Sequence, residues 1–225
     1  MYKAIIFDMY GTIFDMRSLT NGLDQFEEQQ ADSIANLWRQ TQLNHMFLKQ
    51  IMQCYVPFED LTKDALRYAL DEHEVQYNDE DIHQLFEAFL NIQYFRELPR
   101  VFSDIKAKNI DIGVLSNAND SMLMPLVDHS EIGGYIDTVM SVNEVKQYKP
   151  SYASYALILK YYQLKRDEIL FVSANSWDVT GAASFGFDTV WINRQHSNFD
   201  FNGQTPTITV NSLNELVKWL EMQHK

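Results

Sequence analysis

The sequence predicts an α/β fold in which a doubly wound, parallel β-sheet carries an inserted block of helices. Near the N-terminus, the short apolar run Ile5-Ile6-Phe7 has the β-branched content of a buried strand, and it ends at Asp8. The pattern then changes to helical spacing, and from about residue 110 strand-like and helix-like segments alternate. This alternation implies right-handed crossovers between parallel strands.

The segment that follows the first strand has the apolar spacing of helices. One predicted helix covers 31–52, a second begins at Asp60, and a third covers 79–95. Pro99 marks the return to the sheet. The chain is therefore divided into a Rossmann-like core and a helical cap. The predicted core domain covers 1–15 and 97–225, and the predicted cap domain covers 16–96.

The rest of the chain supplies the other strands and helices of the core. Strands are predicted over 110–115, 136–140, 168–173, 189–193 and 207–210, the last of them at an edge of the sheet. Helices are predicted over 151–162, 177–185 and 212–221. Polar residues over 195–205 predict a surface loop.

Composition excludes several classes of function. The 225 residues carry a formal net charge of −13, which argues against nucleic acid and anionic membrane surfaces as partners. An acidic protein repels an anionic substrate at long range, so any acid that it binds needs a local cationic pocket. No stretch has the length and hydropathy of a membrane span. The single cysteine, Cys54, fits a reducing cytoplasm, and we expect it to be a small apolar residue within a helix.

The first candidate site residue is Asp8, at the end of the first strand. A carboxylate at this edge of a parallel sheet lies in the crevice where such folds bind ligands. Gly11 allows a sharp turn there, and the Thr12 hydroxyl can bond to the loop or to a ligand. The alternative is an aspartate that only caps its own turn.

Three further stretches follow predicted strands. Ser116-Asn117 comes after Val114-Leu115, Lys149-Pro150 comes after the strand that ends near residue 140, and Ser173 begins the run that continues to Asp178. Each has an ordinary structural alternative, because serines often begin turns and isolated lysines are usually exposed.

The pattern D-x-x-G-T at Asp8 resembles the nucleophile motif of the haloacid dehalogenase superfamily. Most members of that superfamily are phosphatases with a second Asp, which is Tyr10 here, and with a metal-ligand Asp, which is Ala174 here. A phenol is a poor proton donor at neutral pH, and a methyl group cannot bind Mg²⁺. The segments F-D-x-Y-G-T, W-R-Q, L-S-N, Y-K-P and F-V-S-x-N-x-W-D narrow the resemblance to the metal-independent L-2-haloacid dehalogenases.

This resemblance implies a site without metal or cofactor and a role for each matching residue. Asp8 is the nucleophile that forms an ester, Arg39 and Asn117 receive the halide, and Ser116 holds the substrate carboxylate. Asp178 activates the hydrolytic water. The supporting catalytic residues are Thr12, Lys149, Tyr155, Ser173 and Asn175. The substrate pocket is lined by Tyr10, Gln40, Leu43, Phe58 and Trp177, although such aromatic and leucine positions are often plain core.

The implied function is hydrolysis of L-2-haloalkanoic acids to D-2-hydroxy acids, with inversion at C2. Two alternatives stay open from the sequence: a small-molecule phosphatase of the same superfamily, and a non-catalytic binding protein on this scaffold. The expected partner is a small 2-haloacid, without nucleic acid or membrane. Resemblance to the family also suggests a homodimer, and we expect a cytoplasmic location.

Overall fold

The computed structural model describes residues 1–19, 23, 30–200 and 203–223. Six parallel strands form a sheet in the order β3-β2-β1-β4-β5-β6. The strands are β1 (Ala4–Phe7), β2 (Asp111–Ser116), β3 (Thr138–Ser141), β4 (Ile169–Ser173), β5 (Asp188–Ile192) and β6 (Ile208–Val210). The predicted doubly wound α/β fold is confirmed, with the last strand at an edge.

The topology places Asp8 at the centre of the carboxyl edge. Strand order reverses between β1 and β4, and this reversal opens the crevice in which doubly wound sheets bind ligands. Phe7 pairs with Val172 of β4, and the Asp8 amide continues that pairing to the Val172 carbonyl at 2.9 Å. Ser173 therefore lies directly across from Asp8, while Ser116 ends the strand on the other side.

Helices cover both faces of the sheet. They are α4 (Leu98–Lys106), α5 (Asp120–Asp128), α6 (Tyr152–Tyr162), α7 (Ser176–Phe185) and α8 (Leu213–Gln223). The bounds of α6, α7 and α8 agree with the predicted segments to within two residues. The pattern analysis did not identify α4 or α5, each of which is only nine residues long and begins close to a segment with another predicted role.

The inserted block consists of α1 (Ala31–Ile51), α2 (Phe58–Glu72) and α3 (Asp79–Phe89). The apolar stripes predicted for α2 and α3 are buried. In α1, Ile34 and Trp38 are buried, whereas Leu48 and Ile51 near its end are exposed, and α1 packs along α2. Their contact includes a hydrogen bond of 2.8 Å from Trp38 Nε1 to the Thr62 carbonyl. This contact fixes the rotation of α1, which contributes Arg39 to the site.

Two predicted helix bounds were wrong. The second helix starts at Phe58, because Pro57 already supplies the extended residue that precedes it. The third ends at Phe89 rather than residue 95, since the following backbone pairs with the segment after β1. The Asp15 amide donates to the Gln93 carbonyl at 2.7 Å, and the Phe95 amide donates to the Ile13 carbonyl at 3.0 Å.

The expectation for Cys54 was also wrong. Two residues after the end of α1, Gln53 has the left-handed conformation at φ 54°, and the Cys54 amide donates back to the Lys49 carbonyl. This is the pattern of a Schellman cap. Cys54 consequently lies in the loop before α2, with its thiol exposed.

Parts of two predictions lie outside the described residues. They are positions 201 and 202 of the loop predicted over 195–205, and positions 20–22 and 24–29 of the predicted cap. The division of the chain at 15/16 and 96/97 stays a prediction. Among the described helices, none combines the length and the apolar character that crossing a membrane requires.

Candidate active site

The Asp8 carboxylate is buried and held by donors on both oxygens. Oδ1 accepts a hydrogen bond of 2.8 Å from Lys149 Nζ. Oδ2 accepts bonds from Asn175 Nδ2 at 2.8 Å, Thr12 Oγ1 at 3.1 Å and Ser173 Oγ at 3.3 Å. The two oxygens are therefore unequal: one has three neutral donors, and the other has a single cationic donor.

Lys149 joins the two buried carboxylates of the site. Its ammonium donates to Asp8 Oδ1, to Asp178 Oδ2 at 2.7 Å and to the Leu115 carbonyl at 3.0 Å, so all three N–H bonds have acceptors. Burial alone would lower the pKa of Lys149, but the charges and hydrogen bonds of Asp178 and Asp8 outweigh it and raise that pKa. Lys149 is thus a fixed cation.

Asp178 is fully buried at the start of α7. Tyr155 Oη donates to its Oδ1 at 2.8 Å and to its main-chain carbonyl at 3.1 Å, while Lys149 bonds to Oδ2. Burial raises the pKa of Asp178 to about 6; the Lys149 charge opposes this rise, and the nearby Asp8 charge adds to it. A carboxylate with a raised pKa is better matched to accepting a proton near neutral pH.

Ser116 and Asn117 occupy the end of β2, beside Lys149. Asn117 Oδ1 accepts from the Lys149 amide at 2.8 Å, which fixes the amide orientation and directs Nδ2 toward α1. There Nδ2 contacts the sulfur of Met46 at 2.9 Å. Ser116 Oγ accepts from the Ala118 amide at 3.2 Å. The hydroxyl hydrogen of Ser116 is left to donate elsewhere.

Arg39 approaches the site from α1. The pKa of Arg39 is lowered, because burial disfavours its charged form. The charge of Asp8, which lies close enough to interact electrostatically, opposes this effect but does not cancel it. Its Nη1 donates to Gln42 Oε1 at 2.5 Å, and Gln42 Nε2 in turn donates to Thr62 Oγ1 at 2.6 Å. Sequence reasoning missed Gln42, although its spacing of three from Arg39 places both on one helical face.

A cavity of about 340 Å³ opens beside the nucleophile. Its lining includes Tyr10 and Asn175 and three arginines, Arg39, Arg17 and Arg194. This lining supplies the local cationic surroundings that an anionic substrate needs in so acidic a chain.

Arg194 was also missed from the sequence, where it is one arginine in a polar segment. Its guanidinium bonds to the Gly11 and Thr12 carbonyls, both at 3.3 Å, and to Glu97 Oε1 at 3.2 Å. It also stacks on the Phe95 ring at 3.6 Å. Arg194 thereby ties the nucleophile loop to the segment that returns from the helical insertion.

Tyr10 differs chemically from the acid that it replaces in the resembling phosphatases. Its ring packs on Phe89 at a centroid distance of 5.0 Å, and its hydroxyl is buried without a hydrogen-bond partner among the residues described. Burial raises the pKa of Tyr10 still further above its ordinary value. Tyr10 is therefore not suited to protonate a leaving group at neutral pH.

The other predicted pocket residues differ in their burial and in their neighbours. The Trp177 ring is 5.9 Å from Lys149 Nζ, and Phe58 is buried against the Tyr148 ring at 6.0 Å. Leu43 is half-buried on α1, while Gln40 is exposed on the same helix. The substrate contacts of all four residues stay predictions.

A cation already stands between the two carboxylates, namely the ammonium of Lys149. The described part of the chain contains no group of three or more His, Cys, Asp or Glu side chains with the arrangement of a metal site. Ala174 contributes backbone groups: its amide donates to Thr12 Oγ1 at 2.8 Å, and its carbonyl accepts from Trp191 Nε1 at 3.2 Å.

Comparison with known proteins agrees with this geometry. A family model described as "haloacid dehalogenase-like hydrolase" matches residues 2–186. That match spans most of the chain and both ends of the site, from Asp8 to Asp178. The chain therefore belongs to the haloacid dehalogenase-like hydrolase family.

The similar proteins narrow this class. Over 218 residues the chain is 36% identical to the (S)-2-haloacid dehalogenase H-109 of Pseudomonas putida, covering 97% of each chain. A solved L-2-haloacid dehalogenase matches with a TM-score of 0.95 and 30% identity, over 98% of this chain and 99% of that one. The L-2-haloacid dehalogenase from Xanthobacter autotrophicus, solved with chloropropionic acid covalently bound, matches with a TM-score of 0.93 and 25% identity, over 98% and 99%. Within the family, the chain groups with the (S)-2-haloacid dehalogenases.

Proposed function

We propose that this protein hydrolyses L-2-haloalkanoic acids to D-2-hydroxy acids through a covalent ester on Asp8. The observation that carries the proposal is the pair of buried carboxylates, Asp8 and Asp178, on either side of one ammonium. Asp8 accepts a hydrogen bond from Asn175, which lines the cavity, and can attack, while Asp178 has a pKa suited to accept a proton. The covalently bound chloropropionic acid of the Xanthobacter autotrophicus enzyme supports the covalent route.

In the first step, an Asp8 oxygen attacks C2 of the substrate from the side opposite the halogen, and the carbon–halogen bond breaks. Oδ1 is the better candidate, because it carries one hydrogen bond whereas Oδ2 carries three. Backside attack inverts C2. The departing halide needs no proton, which agrees with Tyr10 at the position of the phosphatase acid.

Arg39 and Asn117 are proposed to receive the halide, and Ser116 to hold the substrate carboxylate. Arg39 keeps its charge and offers several N–H donors to an anion. Asn117 has its Oδ1 held by the Lys149 amide, so its Nδ2 remains a fixed donor. Hydrogen-bond donors that are already in position stabilise charge as it develops.

In the second step, water attacks the ester carbonyl and gives its proton to Asp178. Negative charge then develops on Asp8 Oδ2, where Thr12, Ser173 and Asn175 already donate. These three donors form the equivalent of an oxyanion hole. The bond between Cγ and Oδ1 breaks, and Lys149, which donates to Oδ1, passes a proton to the leaving alkoxide. Asp178 then returns the proton taken from water to Lys149, which lies 2.7 Å away, and the Asp8 carboxyl group releases its own proton, so that all three groups regain their starting charges.

A single turnover in H₂¹⁸O tests this mechanism. With enzyme in excess over L-2-chloropropionate, the label should enter the Asp8 carboxylate, and D-lactate should be unlabelled. Water attacking C2 directly would give the same inversion, so stereochemistry alone does not distinguish the routes. Oxygen-18 in lactate, with none in the peptide that contains Asp8, would show that Asp8 acts as a base instead.

The two alternatives from the sequence are not favoured. A phosphatase needs the acid and the metal ligand that Tyr10 and Ala174 replace. A non-catalytic binding protein gives no reason for Asp8, Lys149 and Asp178 to form a bonded buried cluster.

We further propose a homodimer in the cytoplasm that does not bind nucleic acid. The apolar side chains of Leu48, Ile51 and Met52 are exposed near the end of α1 and support an interface between two copies. The net charge of −13 argues against nucleic acid. Light scattering coupled to gel filtration would test the assembly, and a mass of 26.3 kDa would show a monomer.

A further inference from the structure

Helix α7 approaches α6 very closely at Gly181. A Cβ atom placed on Gly181 would lie 2.5 Å from Tyr155 Oη and 2.5 Å from Pro150 Cβ. Real Cβ atoms essentially never come closer than 3.0 Å to such neighbours. Every other amino acid at this position would therefore displace Tyr155, Pro150 or the helix itself.

The space at Gly181 is occupied by a group that contacts Asp178. Tyr155 Oη passes over the glycine and reaches both Asp178 Oδ1 and the Asp178 carbonyl. Asp178 lies three residues earlier on the same helix, so its side chain and the notch at Gly181 share one helical face. Pro150 directly follows Lys149, which holds the other oxygen of Asp178. A side chain at 181 would thus clash with one partner of Asp178, Tyr155, and with Pro150, the neighbour of the other partner.

The position is unfavourable for glycine on local grounds. Gly181 is the sixth of ten residues in α7, and glycine in a helix interior costs about 1 kcal/mol relative to alanine. Its backbone is not in the left-handed region, so conformational freedom does not explain the residue. The close approach of Tyr155 and Pro150 explains why this position is glycine.

We infer that Gly181 is a positioning residue for ester hydrolysis: its missing side chain lets the Tyr155 hydroxyl reach and orient Asp178. The inference rests on the proposed role of Asp178 in the second step. It assigns to Gly181 no contact with substrate. Its effect should therefore appear in hydrolysis of the ester and not in its formation.

The experiment compares wild type with Gly181→Ala and uses L-2-chloropropionate. We expect kcat to fall by roughly 10–100-fold, less than the ~10²–10⁴-fold contribution of a general base, because Asp178 is displaced and not removed. A rapid burst of halide, equal to the enzyme concentration, should precede slow turnover in this variant, because ester formation on Asp8 is unaffected and only hydrolysis is slowed. Gly134→Ala is the matched control, since a Cβ at Gly134 meets nothing within 4 Å, and it should behave as wild type.

A double variant identifies the route of the effect. If Gly181 acts through Tyr155 Oη, then adding Gly181→Ala to Tyr155→Phe should cause little further loss in kcat. Independent losses that multiply would overturn the inference. So would an unchanged kcat in Gly181→Ala with a normal circular dichroism spectrum.

The pH profile gives a readout that a merely structural role would not move. The Tyr155 hydrogen bond favours the ionised form of Asp178, so its loss should shift the acid limb of kcat to higher pH in both single variants. If Gly181→Ala does not fold, Tyr155→Phe alone decides the matter: an unshifted limb and a normal kcat overturn the inference. Wild type that fails to label Asp8 with ¹⁸O would instead overturn the proposed function.

Discussion

Two parts of the site, called the floor and the roof below, are held in place by different kinds of contact. The floor is the buried cluster of Asp8, Lys149 and Asp178 at the carboxyl edge of the sheet, in which every hydrogen of the Lys149 ammonium has an acceptor. The roof is the α1 face that carries Arg39, Gln42 and Met46. It meets the floor through the contact of Met46 sulfur with Asn117, and a thioether is a weak acceptor.

This difference predicts how substitutions in each part of the site will affect turnover and stability. The floor is preorganised by charges that stabilise one another, so changes there should affect both turnover and stability. The roof places an arginine through a neutral side chain, so changes there should affect turnover with little effect on the fold. Substitutions in the two parts should therefore differ in their effects on turnover and on unfolding free energy.

The largest effect is expected for Lys149→Met. It leaves Asp8 and Asp178 buried without their shared cation, and removing one partner of a buried ion pair costs about 3–5 kcal/mol of unfolding free energy. Turnover should fall by roughly 10⁴-fold, the upper range for a group that positions charge and protons. Halide release and urea unfolding measure the two effects. Lys160→Met, in an exposed pair with Glu144, is the control, and equal behaviour of the two variants would refute a preorganised floor.

Arg39→Ala tests the roof. It removes an anion partner for the charge that develops as the carbon–halogen bond breaks, and kcat/KM for L-2-chloropropionate should fall by about 10³-fold. Thermal unfolding and circular dichroism should match wild type. Arg67→Ala, on α2 and away from the site cavity, should keep full activity. Near-normal turnover of a folded Arg39→Ala protein would exclude the halide role.

A comparison of Gln42 and Gln40 sharpens the description of the roof. Gln42→Met removes the hydrogen bond to Arg39, and a bond to a charged group is worth about 1.5–3 kcal/mol. We expect a decrease of roughly 10–100-fold in kcat/KM. Gln40→Ala should have a smaller effect, because Gln40 is exposed. A larger loss at Gln40 would instead support its predicted contact with substrate.

The pH dependence of kcat reports on the floor. Asp178 must be ionised to accept a proton, and burial raises its pKa to about 6. As the pH falls through that value the ionised fraction decreases, so kcat should drop about tenfold per pH unit below it. An acid limb at the ordinary aspartate pKa, near pH 4, would place the catalytic base elsewhere.

Most of the floor was predictable because parallel strands place their ends at one edge. The structure brings Asp8, Thr12, Ser173, Asn175, Lys149, Tyr155 and Asp178 into one hydrogen-bonded cluster, as the strand-end positions and the family resemblance predicted. Their individual roles stay predictions. Lys149 could not be placed from spacing alone, since an isolated lysine before a proline is more often exposed.

The contacts that hold the roof were not predictable from one sequence. Helical spacing gives the face of α1 but not which side chain on it meets Arg39, because that depends on how α1 rotates against Thr62 of α2. Arg194 joins segments separated by more than 180 positions, and no local pattern reports such a contact. Helix α3 ends earlier than predicted for a similar reason, because the backbone that follows it pairs with a segment that is distant in the sequence.

The smallest expected effect is that of divalent metal. The ammonium of Lys149 lies 2.8 Å from Asp8 and 2.7 Å from Asp178, so it holds the position between carboxylates that a bound cation would take. A second cation there would be repelled by Lys149 and would lack the oxygen that an aspartate at Ala174 could supply. Halide release from L-2-chloropropionate should therefore be the same after EDTA treatment and after addition of Mg²⁺.

Lys149→Met provides the sharper version of this test, because removing the ammonium opens the position between the carboxylates, and any gain of Mg²⁺ dependence should appear in this variant alone. Loss of wild-type activity in EDTA, restored by Mg²⁺, would show that the floor requires a metal ion in addition to the lysine.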